Sequence, residues 1–352
     1  MTWAIHSISR FAEFSEQWDK LVRSRSGPPI LESAFIQPLI DTFGCGDERL
    51  CLYHSKGHLQ TATIIQRERN GMWQTFQPSQ LPLGAWISDR SMDLVSTSNE
   101  LLSQLPGLTL GIGITQQDTR LQVRPIDDFK VRTHDYIQTA WVDIDDSFET
   151  YWETRGKNIK QNMRKQRNKL QAEGVKTRLD CITAAKDVAK AIEHYGRLES
   201  AGWKSADGTA IHPDNAQGKF YQRMLENFCN LKQTRIYIYS FDEKVVAMDL
   251  CIHDDTTIVI LKTTYDESYK AVSPSTLMRQ TQFQQLFEEQ KFKRIEFYGK
   301  VMEWHTRWTE NASTVYHINS YRYALVTRLL DLRAGMRKST SQSVMDDGTD
   351  HA

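Results

Sequence analysis

Apolar positions along the chain switch repeatedly between helical and strand spacing. Phe11, Phe14, Trp18, Leu21 and Val22 recur at intervals of three and four, which predicts a helix over Phe11–Arg25, stopped by Pro28-Pro29. Before it, residues 2–9 alternate weakly as a strand would. A second helix is expected over Ser33–Phe43, ending at Gly44. Two strands follow, Arg49–Tyr53 and Leu59–Arg67, joined across Ser55-Lys56-Gly57. The stretch 70–90 is rich in Trp, Gln, Pro and Gly and reads as loop with short strands. A helix near Met92–Leu105 and a strand near Leu108–Ile114 complete a first unit.

The same order returns from Tyr136. A strand over Tyr136–Ile144 leads into a long helix from Ser147 to Glu173, closed by Gly174. Next come a strand, Lys176–Ile182, and helices over Ala184–Glu199 and about Asp214 to Leu231. Strands are expected over Thr234–Ser240, Lys244–His253 and Thr256–Thr264, then a helix Thr276–Gln290 and a strand Arg294–Tyr298. A strand near Thr314–Asn319 and an amphipathic helix Tyr321–Arg333 close the folded part. The pattern predicts two similar mixed α/β units, although no residue-level repeat accompanies it. The polar tail 336–352 is expected to be disordered.

One stretch carries more than pattern. The apolar run from Thr256 to Leu261 breaks into a polar, aromatic loop and restarts as a helix at Ser273-Pro274, a favoured cap followed by a favoured first helical residue. Free N–H groups at such a helix start can receive phosphate oxygens, although an ordinary βαβ unit with a normal cap has the same signature.

Composition narrows the field. The chain has 352 residues, long enough for two domains, and its 44 Lys and Arg balance 44 Asp and Glu. No global charge therefore draws it onto nucleic acid or membrane. The start, MTWAIHSISRFAEF, lacks a signal-peptide pattern, and no window approaches the roughly 20 apolar residues that a membrane span needs. Five cysteines, scattered and without a CxxC pair, predict neither disulfide nor metal site and fit a cytoplasmic location.

Three constellations could carry chemistry. The first is Arg155–Lys169, in which Lys160, Arg164 and five further cations stand without an acid between them, suited to phosphate or nucleic acid or to a solvated face. The second, residues 199–210, sets Trp203 beside Lys204 between two glycines, either as a ligand loop or as a loop anchored by its Trp. The third, residues 296–308, gathers Glu296, Tyr298, Lys300, Glu303, His305 and Arg307, with His305 a candidate base near neutral pH or a structural histidine. There is no HExxH, P-loop, GxSxG or GxGxxG.

Four blocks in order resemble one family: Arg164…Leu170-Gln-Ala-Glu-Gly174, Leu198-Glu-Ser-Ala-Gly-Trp-Lys204 with Gly208-Thr-Ala210, Tyr265-Asp266…Tyr269…Ser273-Pro274…Leu277, and Glu296-Phe…Gly299…Trp308. Over roughly residues 135–325 they resemble GNAT-superfamily proteins of the CelD-like group. That group is related to Fem-type aminoacyltransferases and associated with exopolysaccharide or cellulose production. The resemblance implies tandem GNAT-like domains, a degenerate one over 1–134 and an acyltransferase domain over 135–335, each a mixed, mostly antiparallel sheet flanked by helices. It implies acyl transfer from acetyl-CoA or another acyl-CoA to an amine or hydroxyl of a sugar or glycan precursor. Tyr265, Tyr269, Ser273, Ser275 and Thr276 would hold the donor. Trp203, Lys204, Arg164 and Lys160 would lie near the acceptor. Glu296 or His305 would be the base, and Tyr298 or Tyr265 would stand near the leaving thiol. Two departures stand out: Ser275 where the family has Gly, and Trp304-His305 where it has Tyr-Lys. The Fem relationship implies an alternative donor, aminoacyl-tRNA, and the departures leave room for a non-catalytic adaptor.

Overall fold

The computed structural model describes residues 2–200 and 211–328. Trp203, Lys204, the end of the last expected helix and the tail lie outside the described residues.

The N-terminal part runs β1 (Thr2–Ser7), α1 (Phe11–Ser24), α2 (Ser33–Phe43), β2 (Arg49–Ser55), β3 (His58–Arg67), β4 (Met72–Thr75), β5 (Trp86–Ser88), α3 (Leu94–Gln104) and β6 (Gly111–Asp118). Then come β7 (Val131–Asp143), α4 (Phe148–Glu153), α5 (Lys157–Ala172), β8 (Thr177–Ile182), α6 (Val188–Ser200) and α7 (Ala216–Asn230). The remainder is β9 (Thr234–Phe241), β10 (Lys244–His253), β11 (Thr257–Tyr265), α8 (Pro274–Glu289), β12 (Arg294–Glu296), α9 (Glu303–Thr306) and β13 (Ala312–Tyr321).

All thirteen strands join one sheet, in the order β1-β2-β3-β4-β6-β13-β7-β12-β11-β10-β9-β8, with β5 on β3. Among the described residues only β4–β6 and β11–β12 pair in parallel, so the mixed, mostly antiparallel sheet expected from the sequence is the one that forms. Its two halves are stitched together by β13, which returns from the far end of the chain to lie between β6 and β7. Gly111 permits the close approach there: a Cβ at that position would meet the Ser320 carbonyl at 2.7 Å and the end of Met72 at 2.9 Å.

Helices cover both faces. On one, α1 and α2 of the first half pack with α6 and α7 of the second around a shared core; Phe35 meets Phe220 edge-on at 5.4 Å, and Arg223 pairs with Asp41 at 2.8 Å. On the other, α3 covers the first half, and α4, α5 and α8 cover the second. The single long helix expected over Ser147–Glu173 is two helices. Ser147 caps the first, and the backbone turns extended at Gly156 (ψ 145°) before the second begins. The change of direction lets Phe148 pack edge-on against Phe287 of α8 at 5.8 Å, while Arg167 of α5 reaches Gln280 of the same helix at 2.9 Å.

Candidate active site

The sheet opens where β11 and β12 part. They pair at only three positions, from Thr257↔Arg294 to Val259↔Glu296. Past these, β11 runs on to Tyr265 beside β10, while the chain after β12 follows β7, with Phe297 N–H donating to the Ala140 carbonyl and Val301 N–H to that of Gln138. Tyr298 takes a positive φ of 46° at the fork, a conformation an aromatic side chain rarely adopts. The kink ends the parallel ladder and leaves one edge of β11 without a strand beside it.

A cleft of about 680 Å³ fills the wedge, between β11, the start of α8 and the 297–308 segment. Five cations line it, Lys262, Lys270, Arg279, Lys300 and Arg307, and among the described residues no Asp or Glu does. Arg307 is engaged by Glu303 at 2.8 Å. Aromatic faces from Tyr265, Phe297, Trp304 and Trp308 make up much of the rest.

The helix start is more occupied than its sequence suggests. Ser273 sits in the left-handed region (φ 50°), and its hydroxyl makes no capping bond. Tyr269 N–H donates to the Asp266 carbonyl, Ser273 N–H to that of Lys270, and both Thr276 and Leu277 N–H to that of Ser273. Pro274 has no N–H, and among the described residues no protein carbonyl takes the N–H of Ser275, a residue that lines the cleft. Phosphate recognition here would rest on that amide, the Ser273 and Thr276 hydroxyls and the surrounding cations.

Arg279 forms the floor. It is buried on α8, with Nη2 donating to the Thr263 hydroxyl at 2.8 Å and to Asp249 at 3.1 Å, and Thr263 donates in turn to Asp249 at 2.7 Å. Its guanidinium lies 5.3 Å from the Trp304 ring and 5.5 Å from Phe297. Nη1 is buried without a protein acceptor although the residue lines the cleft. Such a group is a ready donor to a carbonyl or anionic oxygen.

His305 stacks on Trp304 with ring centroids 3.5 Å apart, and its Nδ1 accepts from Met302 N–H at 2.9 Å. That bond places the proton of the neutral ring on Nε2, so the side chain presents a donor to the cleft rather than a free base. Burial, then the charge of Arg279, pushes its pKa down to about 4. A depressed histidine contributes stability above its unfolded value of 6.5 and loses it as pH falls through the folded one. By pH 5 this site should have cost the fold up to about 2 kcal/mol. Urea titrations at pH 7 and pH 5 should therefore show a larger loss for the parent than for His305→Asn; equal losses would remove this account of the ring.

The structure brings Tyr265, Ser273, Ser275, Thr276 and His305 together around the cleft. Tyr269 packs away from it, edge-on to Phe241 at 5.5 Å and beneath Lys244. Lys160 and Arg164 lie on α5 and do not line it; Lys160 Nζ donates to the Glu153 carbonyl at 3.1 Å. Glu296 and Tyr298 face the opposite side of the sheet, where Tyr298 joins the core shared by both halves. Glu296 is buried and gripped by Arg120 at 2.6 Å, which also holds Asp118 at 2.6 Å and stacks on Trp141 at 4.2 Å. Burial pushes the Glu296 carboxyl up to about 7, against the downward pull of Arg120 and Arg294. Arg279, Asp249 and Thr263 were not singled out from the sequence. Arg279 had a signal, since it falls on the apolar stripe with Phe283 and Leu286 where a charge must be explained.

Residues 157–306 match the family model described as Acetyltransferase (GNAT) domain. The chain carries a GNAT-fold acyltransferase domain. Solved structures share the architecture of the whole chain at low identity. FemX aligns over 90% of this chain and 96% of its own with a TM-score of 0.58 and 8% identity. The C-terminal domain of a putative lysylphosphatidylglycerol synthetase from Agrobacterium fabrum aligns over 92% and 96%, with a TM-score of 0.55 and 12% identity. L-PGS from Bacillus licheniformis aligns over 90% and 96%, at 0.51 and 14%. No curated protein matches the chain significantly. At such identities the structural likenesses establish fold. The residues that line the wedge at the β11–β12 fork, from Ile260 to His305, lie inside the matched GNAT segment, with Arg307 and Trp308 just past its end. Among the described residues no cluster of His, Cys, Asp or Glu could hold a metal, and no helix is long and apolar enough to cross a membrane.

Proposed function

We propose that the chain moves an acyl group from acyl-CoA to an amine or hydroxyl of a sugar or glycan precursor, with the donor in the wedge and the acceptor between the two halves of the chain. The observation that carries this reading is the cleft itself: a free strand edge, five cations and, among the described residues, no lining acid, beside a helix start where the Ser275 N–H meets no protein carbonyl. An unpaired strand edge suits an extended chain bearing amides, and the cations suit a diphosphate.

On this reading Ser273, Ser275 and Thr276 take the diphosphate, Arg279 Nη1 and His305 Nε2–H donate to carbonyl oxygens of the donor, and Tyr265 stands near the leaving sulfur. The acceptor N–H or O–H attacks the thioester carbon, the C–S bond breaks, and the thiolate takes a proton from Tyr265. The Tyr265 oxygen then recovers the proton that leaves the nucleophile; Glu296, on the opposite face of the sheet and held by Arg120 at 2.6 Å, takes no part in the transfer. Acetyl-CoA titrated into the full chain by calorimetry tests the donor. Micromolar binding is expected, and no heat at about 1 mM would remove the reading.

The second reading, an aminoacyl-tRNA donor, is favoured by the exposed cations Lys157, Arg164 and Lys165 on α5 and by the likeness to FemX. The described lining of the cleft offers no acid to neutralise an aminoacyl ammonium, which ranks this donor second. It requires binding that weakens steeply with salt.

A further inference from the structure

The sheet ends at β1 on one side and at β8 on the other. Next to β8, Asp242 N–H donates to the Lys176 carbonyl at 2.7 Å, one position before the register Thr177↔Phe241 begins. From that bond, the alternation of a strand turns the N–H and C=O groups of Arg178, Asp180 and Ile182 toward β9 and those of Thr177, Leu179 and Cys181 outward. Among the described residues no strand takes the outward set. β8 has six residues, no proline and no shift of register against β9, and Thr177, Arg178 and Cys181 are exposed. Such an edge is a template for another chain unless its side chains forbid the approach.

Charges of one sign along an edge repel a second copy of it. β8 carries the opposite arrangement. Arg178 and Asp180 stand two positions apart on one face, paired to each other at 2.8 Å, with side chains 59% and 45% exposed. If β8 pairs antiparallel with itself about a two-fold axis at Leu179, Arg178 of each copy lies opposite Asp180 of the other. Moving the axis by one residue sets Asp180 against Asp180, or Arg178 against Arg178, which costs stability. The Leu179 centre also faces outward groups with outward groups, Leu179 with Leu179 and Thr177 with Cys181, for about six main-chain hydrogen bonds. Leu179 already packs on the core beneath α5 and α8, so the two leucines would extend that apolar layer across the axis. β1 has no such selection, since Thr2–Ser7 contains no Lys, Arg, Asp or Glu.

We propose that β8 docks on the β8 of a second copy of this chain, antiparallel and centred on Leu179, so that the sheet continues from one copy into the next. The pairing does not involve the acyl-donor cleft and stands or falls apart from it.

Sedimentation equilibrium of the full chain tests this. The parent should pass from monomer to dimer as concentration rises. Leu179→Pro removes an N–H that points away from β9, so the β8–β9 ladder survives, and this variant should stay monomeric where the parent is dimeric. Arg178→Asp and Asp180→Arg each oppose like charges twice across the axis and should raise the dimer Kd about tenfold. An equal mixture of those two variants restores both opposite-charge pairs and should associate as tightly as the parent. So should the double variant Arg178→Asp/Asp180→Arg by itself. A parent that remains monomeric at about 0.5 mM overturns the proposal. So does a dimer that Leu179→Pro leaves intact, or a mixture of the single variants that associates no better than either alone.

Discussion

Replacing Arg120 with methionine is expected to cost the fold about 3–5 kcal/mol, the range found when one partner of a buried ion pair is removed and the other is left behind. Here two partners would be left. The side chains of Asp118 and Glu296 are 0% and 2% exposed, and Arg120 reaches both at 2.6 Å while lying on Trp141. Asp118 ends β6 in the first half of the sheet, and Glu296 sits on β12 in the second, so the guanidinium ties the halves across the fork. The pH dependence gives a signature that simple loss of packing would lack. The Glu296 carboxyl is already raised to about 7, so the folded state holds its proton where the unfolded state, at 4.5, does not. A raised carboxyl contributes stability that is fully present below the unfolded value and is lost as pH rises through the folded one. Without Arg120 the folded value rises further, so the variant should regain much of its stability between pH 7 and pH 4.5, and Glu296→Gln on that background should restore part of it at pH 7. Urea midpoints across this range decide it. An Arg120→Met protein as stable as its parent at pH 7 would mean that the triad holds nothing together.

Arg120 also marks where the sequence stops speaking. Its partner lies 176 positions away, and nothing in the local pattern of Asp118-Thr-Arg120 names Glu296. The same holds for β13, whose apolar alternation predicts a strand but not its insertion between β6 and β7. Local signals fared better. The stripe Phe11, Trp18, Leu21, Val22 forms α1 and is buried, and Gly44 and Gly174 follow helix ends as expected. The break at Gly156 was missed because Thr154-Arg155-Gly156 carries no proline and the cationic run around it looks continuous. In the site, Ser273-Pro274 located the helix start, and residues near it in sequence, Tyr265 to Thr276, largely share the cleft. Strand alternation puts Glu296 and Tyr298 on one face and Phe297 on the other. Which face met the cleft depended on packing against α8, a long-range fact. The left-handed turn at Ser273 was equally hidden, since a serine there looks like an ordinary cap until the backbone shows its hydroxyl unused.

Removing the charges of Lys270 and Lys300 together should weaken acetyl-CoA binding about tenfold while leaving the fold unchanged. Both line the cleft, both are exposed, and neither makes an ion pair among the described residues, so little of the protein's own stability depends on them. Each exposed ammonium near a diphosphate contributes about 0.5–1 kcal/mol at low salt, and two such terms make a tenfold change in Kd. The loss should shrink as salt is raised, because these charges face solvent. The contrasting set is Lys157, Arg164 and Lys165, exposed on α5 and away from the cleft. Neutralising those three should leave acetyl-CoA affinity within a factor of two, whereas an aminoacyl-tRNA donor would feel all three through its backbone and lose affinity steeply. Calorimetry with the two variant sets at low and moderate salt separates the donors. If Lys270→Ala/Lys300→Ala binds acetyl-CoA as tightly as the parent, the diphosphate does not lie at the start of α8, and the wedge must hold something else.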